Sequence, residues 1–254
     1  MSQHDPGTVT LDVASRIATI TFSHPKGNSL PGVLLRELAR CIDDAGARPD
    51  VAVVVLRSGG AGPFCAGASF DELRAIETPE QGTEFFSGFA HVLLAMRRCP
   101  RFVITRVHGK VAGGGVGLVA ASEYAIATEA ASLRLSELAV GIGPFVVGPA
   151  IEHRIGRGHY TALAADFDWR DAAWGERCGL YARLTTPRAL DTDVATLAAR
   201  LAEANPAAMA EMKRVFWEGT DHWSTLLFER AAVSGRLVLS DHTRRAIAAF
   251  AARA

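Results

Sequence analysis

The sequence lacks paired cysteines, an excess of either charge and any long hydrophobic run. Its cysteines are Cys41, Cys65, Cys99 and Cys178, which stand singly and without the close spacing of zinc sites and redox motifs. Lys and Arg together number 27, as do Asp and Glu, so no net charge favours binding to nucleic acid or to an anionic membrane surface. No stretch reaches the ~20 apolar residues that span a bilayer. We therefore expect no nucleic-acid partner and no membrane partner.

Signals for export and for metal binding are also missing. Residues 1–7 are polar, without the basic start and apolar run of a signal peptide. Together with the single cysteines, this predicts a reduced, cytoplasmic protein. The eight histidines form no HExxH motif and no clustered pair beside a carboxylate, so we expect no catalytic metal.

The order of predicted strands and helices indicates an α/β protein with a helical end. Residues 9–22 alternate like a β-hairpin, and residues 51–56, 102–107 and 124–127 are short apolar runs typical of buried strands. Helical spacing follows Pro31 and recurs over residues 83–98, which predicts β-α-β units. From Pro144 onward nearly all segments are predicted helices. We therefore divide the chain into a core, residues 1–185, and a C-terminal helical region, residues 186–254.

Two glycine-bearing segments follow predicted strands, at the sheet edge where α/β proteins bind ligands. They are residues 64–70 (FCAGASF) and residues 109–115 (GKVAGGG). Glycine lets a ligand approach the backbone, and a helix beginning at Gly114 has unpaired N–H groups at its start. Two such segments can direct one N–H each at a single oxygen, as in an oxyanion hole. The alternative is that the glycines serve only tight turns and close packing.

The sequence resembles the enoyl-CoA hydratase/isomerase family, also called the crotonase superfamily. The resemblance rests on FCAGASFDEL, HGKVAGGGVGL and LRLSELAVGIGP in this order, with HPKGNSL before them and SDHTRRAIAAF at the end. It implies a crotonase-like (ClpP/crotonase) spiral of β-β-α units whose C-terminal helical region assembles trimers, often hexamers. It also implies an acyl-CoA thioester substrate, with coenzyme A entering as part of the substrate and no separate cofactor.

The resemblance assigns roles to individual residues. The N–H groups that polarise the thioester carbonyl would belong to Ala68 and Gly114, and the catalytic carboxylate would be Glu137. Glu123 stands where the family commonly has an acidic residue in a structural role. The residues implied to contact the substrate are Lys26, Ala66, Ser69, Phe70, Phe250 and Arg253, the last two near the coenzyme A phosphates.

The sequence departs from the family's hydratases at one catalytic position. Hydratases have a glutamate three residues after the middle glycine of the triple, and this chain has Gly117 there. Glu137 remains, among apolar neighbours that would raise its pKa by desolvation. A single base suffices to shift a double bond, so we favour isomerisation slightly over hydration. Hydration stays open if another group orients the water.

Three other functions remain as alternatives. Thioester hydrolysis is one, although the extra acidic residue of the family's hydrolases is replaced by the region of Pro144 and Phe145. A dinucleotide-binding oxidoreductase is another, since Gly115, Gly117 and Ala120 match a relaxed fingerprint; however, helices follow instead of further β-α units. The third is a binding protein on the same fold that has lost catalysis, which the retention of Glu137 argues against.

Overall fold

A computed structural model describes residues 6–251 of the chain. Within that range the chain forms nine strands: β1 (Thr8–Ala14), β2 (Ile17–Ser23), β3 (Val53–Ser58), β4 (Phe102–Val107), β5 (Val111–Ala112), β6 (Tyr124–Thr128), β7 (Ser132–Arg134), β8 (Arg170–Asp171) and β9 (Arg183–Thr185). The helices of the same range are α1 (Gly32–Ala47), α2 (Phe70–Arg74), α3 (Pro79–Arg98), α4 (Gly114–Ala120), α5 (Gly148–Asp166), α6 (Ala172–Arg177), α7 (Leu190–Ala202), α8 (Pro206–Phe216), α9 (Trp223–Leu237) and α10 (Asp241–Ala251).

Two sheets organise these elements. The larger has the order β1-β2-β3-β4-β6-β9, and the smaller has the order β5-β7-β8. In the larger sheet, β1 and β2 form the predicted antiparallel hairpin, whereas the other strand pairs of that sheet are all parallel. The predicted β-α-β units are therefore confirmed. β9 was not predicted, because three residues are too few to show a strand pattern.

Side chains of the central strands alternate between two apolar layers. Val54 and Leu56 of β3 pack with α1 and α3, whereas Val53 and Val55 pack with α7. Because both faces of β3 are covered, its sequence is apolar at consecutive positions instead of alternating. α7, the first helix after residue 186, thus contributes directly to the core of the main sheet.

Local sequence signals account for several helix starts. Helix α1 follows Pro31, as predicted. Helix α3 begins at Pro79, four residues earlier than predicted, because Thr78 before the helix and Gln81 in its first turn form a capping box. The side chain of Asn205 caps α8, which begins at the next residue, Pro206.

No helix within residues 6–251 is long and apolar enough to cross a membrane.

A buried ion pair joins the C-terminal helices to the main sheet. Lys213 of α8 donates to Glu123 Oε2 at 3.0 Å and to the Arg101 carbonyl oxygen at 2.9 Å. Glu123 also accepts from Trp217 Nε1 at 3.0 Å and from the Val103 N–H at 2.7 Å. The two charged side chains are only 3% and 5% exposed, so this pair is structural.

Removing the Lys213 ammonium group should destabilise the fold strongly. In Lys213→Met the Glu123 carboxylate keeps two N–H donors but loses its countercharge, and breaking buried pairs typically costs about 3–5 kcal/mol. We expect the free energy of unfolding in urea to fall by about 3 kcal/mol. Arg214→Met, which removes an exposed neighbour on the same helix, should change it by less than about 0.5 kcal/mol. Equal effects of the two variants would contradict a stabilising role for the buried pair.

Candidate active site

The glycine-bearing segments open into one cavity of about 450 Å³. Its polar lining residues are Lys26, Ser29, Asp71, Ser136, Glu137 and Ser234, and the exposed side chains of Lys26 and Asp71 mark its mouth. The apolar wall is formed by Phe70, Leu73, Phe85, Phe86, Phe89, Val140, Ile142, Pro144, Phe145, Val146 and Val147. Helix α3 contributes three phenylalanines to this wall.

A parallel bridge between Cys65 and Val111 holds the two segments together. The Cys65 N–H donates to the Lys110 carbonyl oxygen at 3.2 Å, and the Ala112 N–H donates to the Cys65 carbonyl oxygen at 2.8 Å. A Cβ added at Gly67 would lie 3.8 Å from the Gly114 nitrogen, so the first segment lies directly against the start of α4. The Cys65 side chain is fully buried here, and burial raises the pKa of its thiol to about 12, which leaves it inert as a nucleophile.

Two backbone N–H groups of these segments are left without an internal acceptor. Ala68 pairs with Leu30 in a parallel bridge, in which Leu30 bonds to the Gly67 carbonyl and to the Ser69 N–H. The N–H of Ala68 itself therefore points away from Leu30. Gly114 is the first residue of α4, where a helix offers no acceptor. Among residues 6–251 neither N–H donates a hydrogen bond.

The ring of Phe89 occupies the space beside Gly114. A Cβ added at Gly114 would lie 2.2 Å from the Phe89 Cζ, which is closer than real Cβ contacts. Only glycine at position 114 leaves room for the Phe89 ring beside the backbone N–H. Phe89 is itself 5% exposed and therefore covers the Gly114 backbone on the apolar side of the cavity.

Glu137 brings a desolvated carboxyl group to the same place. A Cβ added at Gly113 would lie 3.1 Å from Glu137 Oε1, so the carboxyl group lies beside the residue that precedes Gly114. Its Oε2 is buried and has no hydrogen-bond partner within residues 6–251. Burial raises the pKa of Glu137 to about 7, while the N–H groups of Glu137 and Ser136 and the charge of Arg134 lower it to a smaller extent. A group with such a pKa can both take and return a proton near neutral pH.

Sequence comparison assigns a family to this chain. A sequence model of the enoyl-CoA hydratase/isomerase family matches residues 12–253. This chain belongs to that family. A Rhizobium meliloti protein named as a probable enoyl-CoA hydratase is 30% identical over 212 residues, which cover 82% of this chain and 80% of that protein. This family match and the similarity to a solved enoyl-CoA hydratase structure confirm the predicted crotonase-like fold.

A solved structure and a second relative are also similar to this chain. The crystal structure of an enoyl-CoA hydratase from Mycobacterium avium superposes with a TM-score of 0.86 at 25% identity, over 96% of each chain. A Rhodococcus jostii protein named as a hydrolase of a fused-ring indene-carboxyl-CoA is 32% identical over 149 residues, or 58% of this chain and 57% of that one. The relatives of this chain thus carry the names of different reactions.

Six residues are predicted to contact the substrate; of the four whose side chains are described, three line the cavity and one does not. Lys26, Ala66 and Phe70 are on its wall, with Lys26 in contact with Asp71 at the mouth. Ser69 is buried instead, and its hydroxyl accepts from the Glu72 N–H at 3.3 Å to cap α2. The Ser-x-x-Glu spacing is a capping signature that was visible in the sequence. The Phe250 side chain and Arg253 lie outside the described residues.

Val147 is a cavity residue that sequence reasoning missed. It fills the space next to Gly117, where the family's hydratases have their second glutamate. A Cβ added at Gly117 would lie 2.7 Å from both Cβ and Cγ1 of Val147. No carboxylate fits at position 117 unless Val147 moves. The cavity therefore has the apolar side chain of Val147 where the hydratases have a second acid. No local pattern in the sequence reveals the contact between Val147 and Gly117.

Removing the Ala68 N–H should depress turnover without unfolding the protein. Proline at this position has no N–H, and the loss of one donor of an oxyanion hole typically lowers the rate by ~10² to 10³. We expect Ala68→Pro to lose about 10² or more in kcat, with an unchanged circular dichroism spectrum. Ala68→Ser keeps the N–H and should retain activity. Near-normal turnover by folded Ala68→Pro would show that Ala68 is not a donor.

The pKa of Glu137 predicts how activity depends on pH. If the ionised carboxylate is the base, kcat/KM should rise with pH and level off above about 7, where Glu137 is mostly deprotonated. An ordinary exposed glutamate would give the same rise near pH ~4. Steady-state rates between pH 5 and 9, in buffers of constant ionic strength, distinguish the two cases. A flat profile above pH 5 would contradict a desolvated base.

Proposed function

We propose that this chain is an acyl-CoA enzyme that moves a proton next to a thioester carbonyl and favours double-bond isomerisation. One observation carries the proposal: the Glu137 carboxyl group, whose buried Oε2 has no partner within residues 6–251, shares a cavity with the N–H groups of Ala68 and Gly114, which donate no hydrogen bond within the same range. An acid–base group beside a site for a negative oxygen is the arrangement that enolate chemistry needs.

The steps follow from this geometry. The thioester oxygen of a 3-enoyl-CoA accepts hydrogen bonds from Ala68 and Gly114, which makes the α-protons more acidic. Glu137 removes one α-proton, and the electron pair moves onto the oxygen as a dienolate that the two N–H groups stabilise. The protonated Glu137 then delivers the proton to the γ-carbon, so that the double bond lies between the α- and β-carbons. The carboxylate is regenerated, and no co-reactant is consumed.

Substrate binding would use the two ends of the cavity differently. Lys26 at the mouth is suited to a phosphate of coenzyme A, and because its contact with Asp71 is solvent-exposed, exchanging that partner for a phosphate involves little loss. The acyl chain would lie against the phenylalanines of α3. Among the described residues, the charged residues that line the cavity are Lys26, Asp71 and Glu137, and none of them belongs to α3 or to the apolar wall. A neutral acyl chain therefore suits it better than one ending in a carboxylate.

Hydration of a 2-enoyl-CoA is the second candidate. It is favoured by the names of relatives and solved structures, which include enoyl-CoA hydratases. It would require a water molecule to be oriented by a group other than a carboxylate at position 117, because Val147 occupies that space. Thioester hydrolysis has the support of one relative's name. However, Pro144 and Phe145 line the cavity where an additional acidic residue would be needed.

Replacing Glu137 tests the proposed role of the carboxylate. Glu137→Gln keeps the shape of the side chain but removes the base, so we expect kcat to fall by at least ~10² while the Kd for an acyl-CoA stays within a few-fold. Glu211→Gln, which neutralises an exposed carboxylate on α8, is the matched control and should leave both unchanged. Retained turnover in Glu137→Gln would contradict the mechanism.

The choice of reaction requires two assays on the unaltered protein. Isomerisation of a 3-enoyl-CoA and exchange of α-protons with deuterated water should both be faster than hydration of crotonyl-CoA. Efficient hydration of crotonyl-CoA without isomerisation would show that the hydratase alternative is right. Binding of acyl-CoA without any of these reactions would indicate a non-catalytic member of the family.

A further inference from the structure

A second cluster of charged side chains lies at the carboxyl edge of the main sheet, on the face covered by α7. Arg57 of β3 and Arg106 of β4 are direct partners in the parallel register. Neighbouring strands are roughly 4.8 Å apart, so the two arginines leave the sheet side by side on one face. That face is α7's, because Val55 and Ile104, two residues earlier on each strand, pack against α7. The acyl cavity lies on the other side, with α3 and α4.

Two further residues complete the cluster. His108 follows Arg106 by two residues and shares its face. Asp191, the second residue of α7, accepts from Arg106 Nε and, at 3.3 Å, from Arg106 Nη2. The pKa of the Asp191 carboxyl is lowered first by the Arg106 hydrogen bond and then by the charges of Arg106, Arg57 and His108, in keeping with one carboxylate that faces all three.

Positive charge exceeds negative charge in this cluster. Two arginines and one aspartate give a net charge of +1 when His108 is neutral, and like charges on directly paired positions destabilise a sheet. Asp191 is engaged by Arg106, whereas Arg57 has no ion pair within residues 6–251. Burial and the charges of Arg106 and Arg57 lower the pKa of His108, which keeps the ring neutral in the absence of a further anion.

Hydrogen-bond acceptors are also missing. Arg57 Nε is buried without a partner among the described residues, and so are both ring nitrogens of His108. The Gly62 carbonyl is close enough to favour the protonated ring, but it makes no hydrogen bond of normal geometry. A buried polar group without a partner is unfavourable, so the cluster is short of both negative charge and acceptor oxygens. A bound oxyanion supplies both.

We propose that Arg57, Arg106 and His108 form a binding site for a phosphate group, separate from the acyl-CoA cavity. Guanidinium groups bind phosphate through paired N–H donors, and two of them side by side present several donors to one ligand. The cluster borders solvent, because the Asp191 side chain that contacts Arg106 is 66% exposed. The phosphate group is either inorganic phosphate or the phosphate ester of a nucleotide.

The test measures binding of inorganic phosphate to the full chain by calorimetry, in chloride buffer of constant ionic strength. We expect one phosphate per chain, with a Kd on the order of 1 mM. Arg57→Gln should weaken binding at least tenfold. Arg98→Gln, which removes an exposed arginine of α3, and Lys26→Gln, at the mouth of the cavity, should leave it unchanged. Circular dichroism and thermal unfolding establish that each variant is folded.

A spectroscopic measurement keeps the test independent of the variants' stability. Phosphate should shift the imidazole NMR signals of His108 in the unaltered protein, assigned by their loss in His108→Gln. Adenosine monophosphate (AMP) in place of phosphate distinguishes the two sources, since a tenfold tighter Kd indicates a nucleotide site. The proposal is overturned if no saturable binding occurs, if Arg57→Gln binds normally, or if Lys26→Gln alone abolishes binding, which would place the phosphate at the cavity mouth.

Discussion

Two backbone hydrogen bonds hold the loop after β3 against the loop after β4, and the candidate site depends on them. They join Cys65 to Lys110 and to Ala112, at the carboxyl edge of two adjacent parallel strands. Because peptide groups make this contact, side chains can vary around it while the N–H groups of Ala68 and Gly114 keep their directions. The parallel pairing of β3 and β4 is what brings the two loops to the same edge.

The carboxyl group of Glu137 is held in the site in a buried position that is unfavourable for the stability of the fold. Its Oε2 is buried without a partner in the part of the chain that the structure describes, which is unfavourable for folding, and the raised pKa of Glu137 is a consequence of this burial. The pKa of Glu137 is higher in the folded protein than in the unfolded chain, so folding favours the protonated carboxyl group. The stability that this protonated group contributes is therefore lost as pH rises through about 7. The structure thus retains a destabilising group where proton transfer would use it.

The C-terminal helices complete the site as well as the core. Ile142, which lines the cavity, forms an apolar cluster with Ile76, Val238 and Ile247, and so connects the segment after Glu137 to α9 and α10. Thr243 of α10 donates to the Gly141 carbonyl oxygen at 2.8 Å and supports the same segment. Changes in these helices would therefore reach the acyl end of the cavity through packing, without altering Glu137 itself.

Local sequence signals are sufficient to predict the hairpin, the succession of strands and helices, the two glycine-bearing segments and the position of Glu137 among apolar residues. These features depend on neighbouring residues, whose periodicity and turn chemistry are local. Only the tertiary structure decided that Val147 fills the space beside Gly117, that Ser69 caps α2 away from the cavity, and that Arg57 lies next to Arg106. Periodicity indicates which face a side chain occupies, but its partner depends on strand register and on packing between distant segments, which no local pattern specifies.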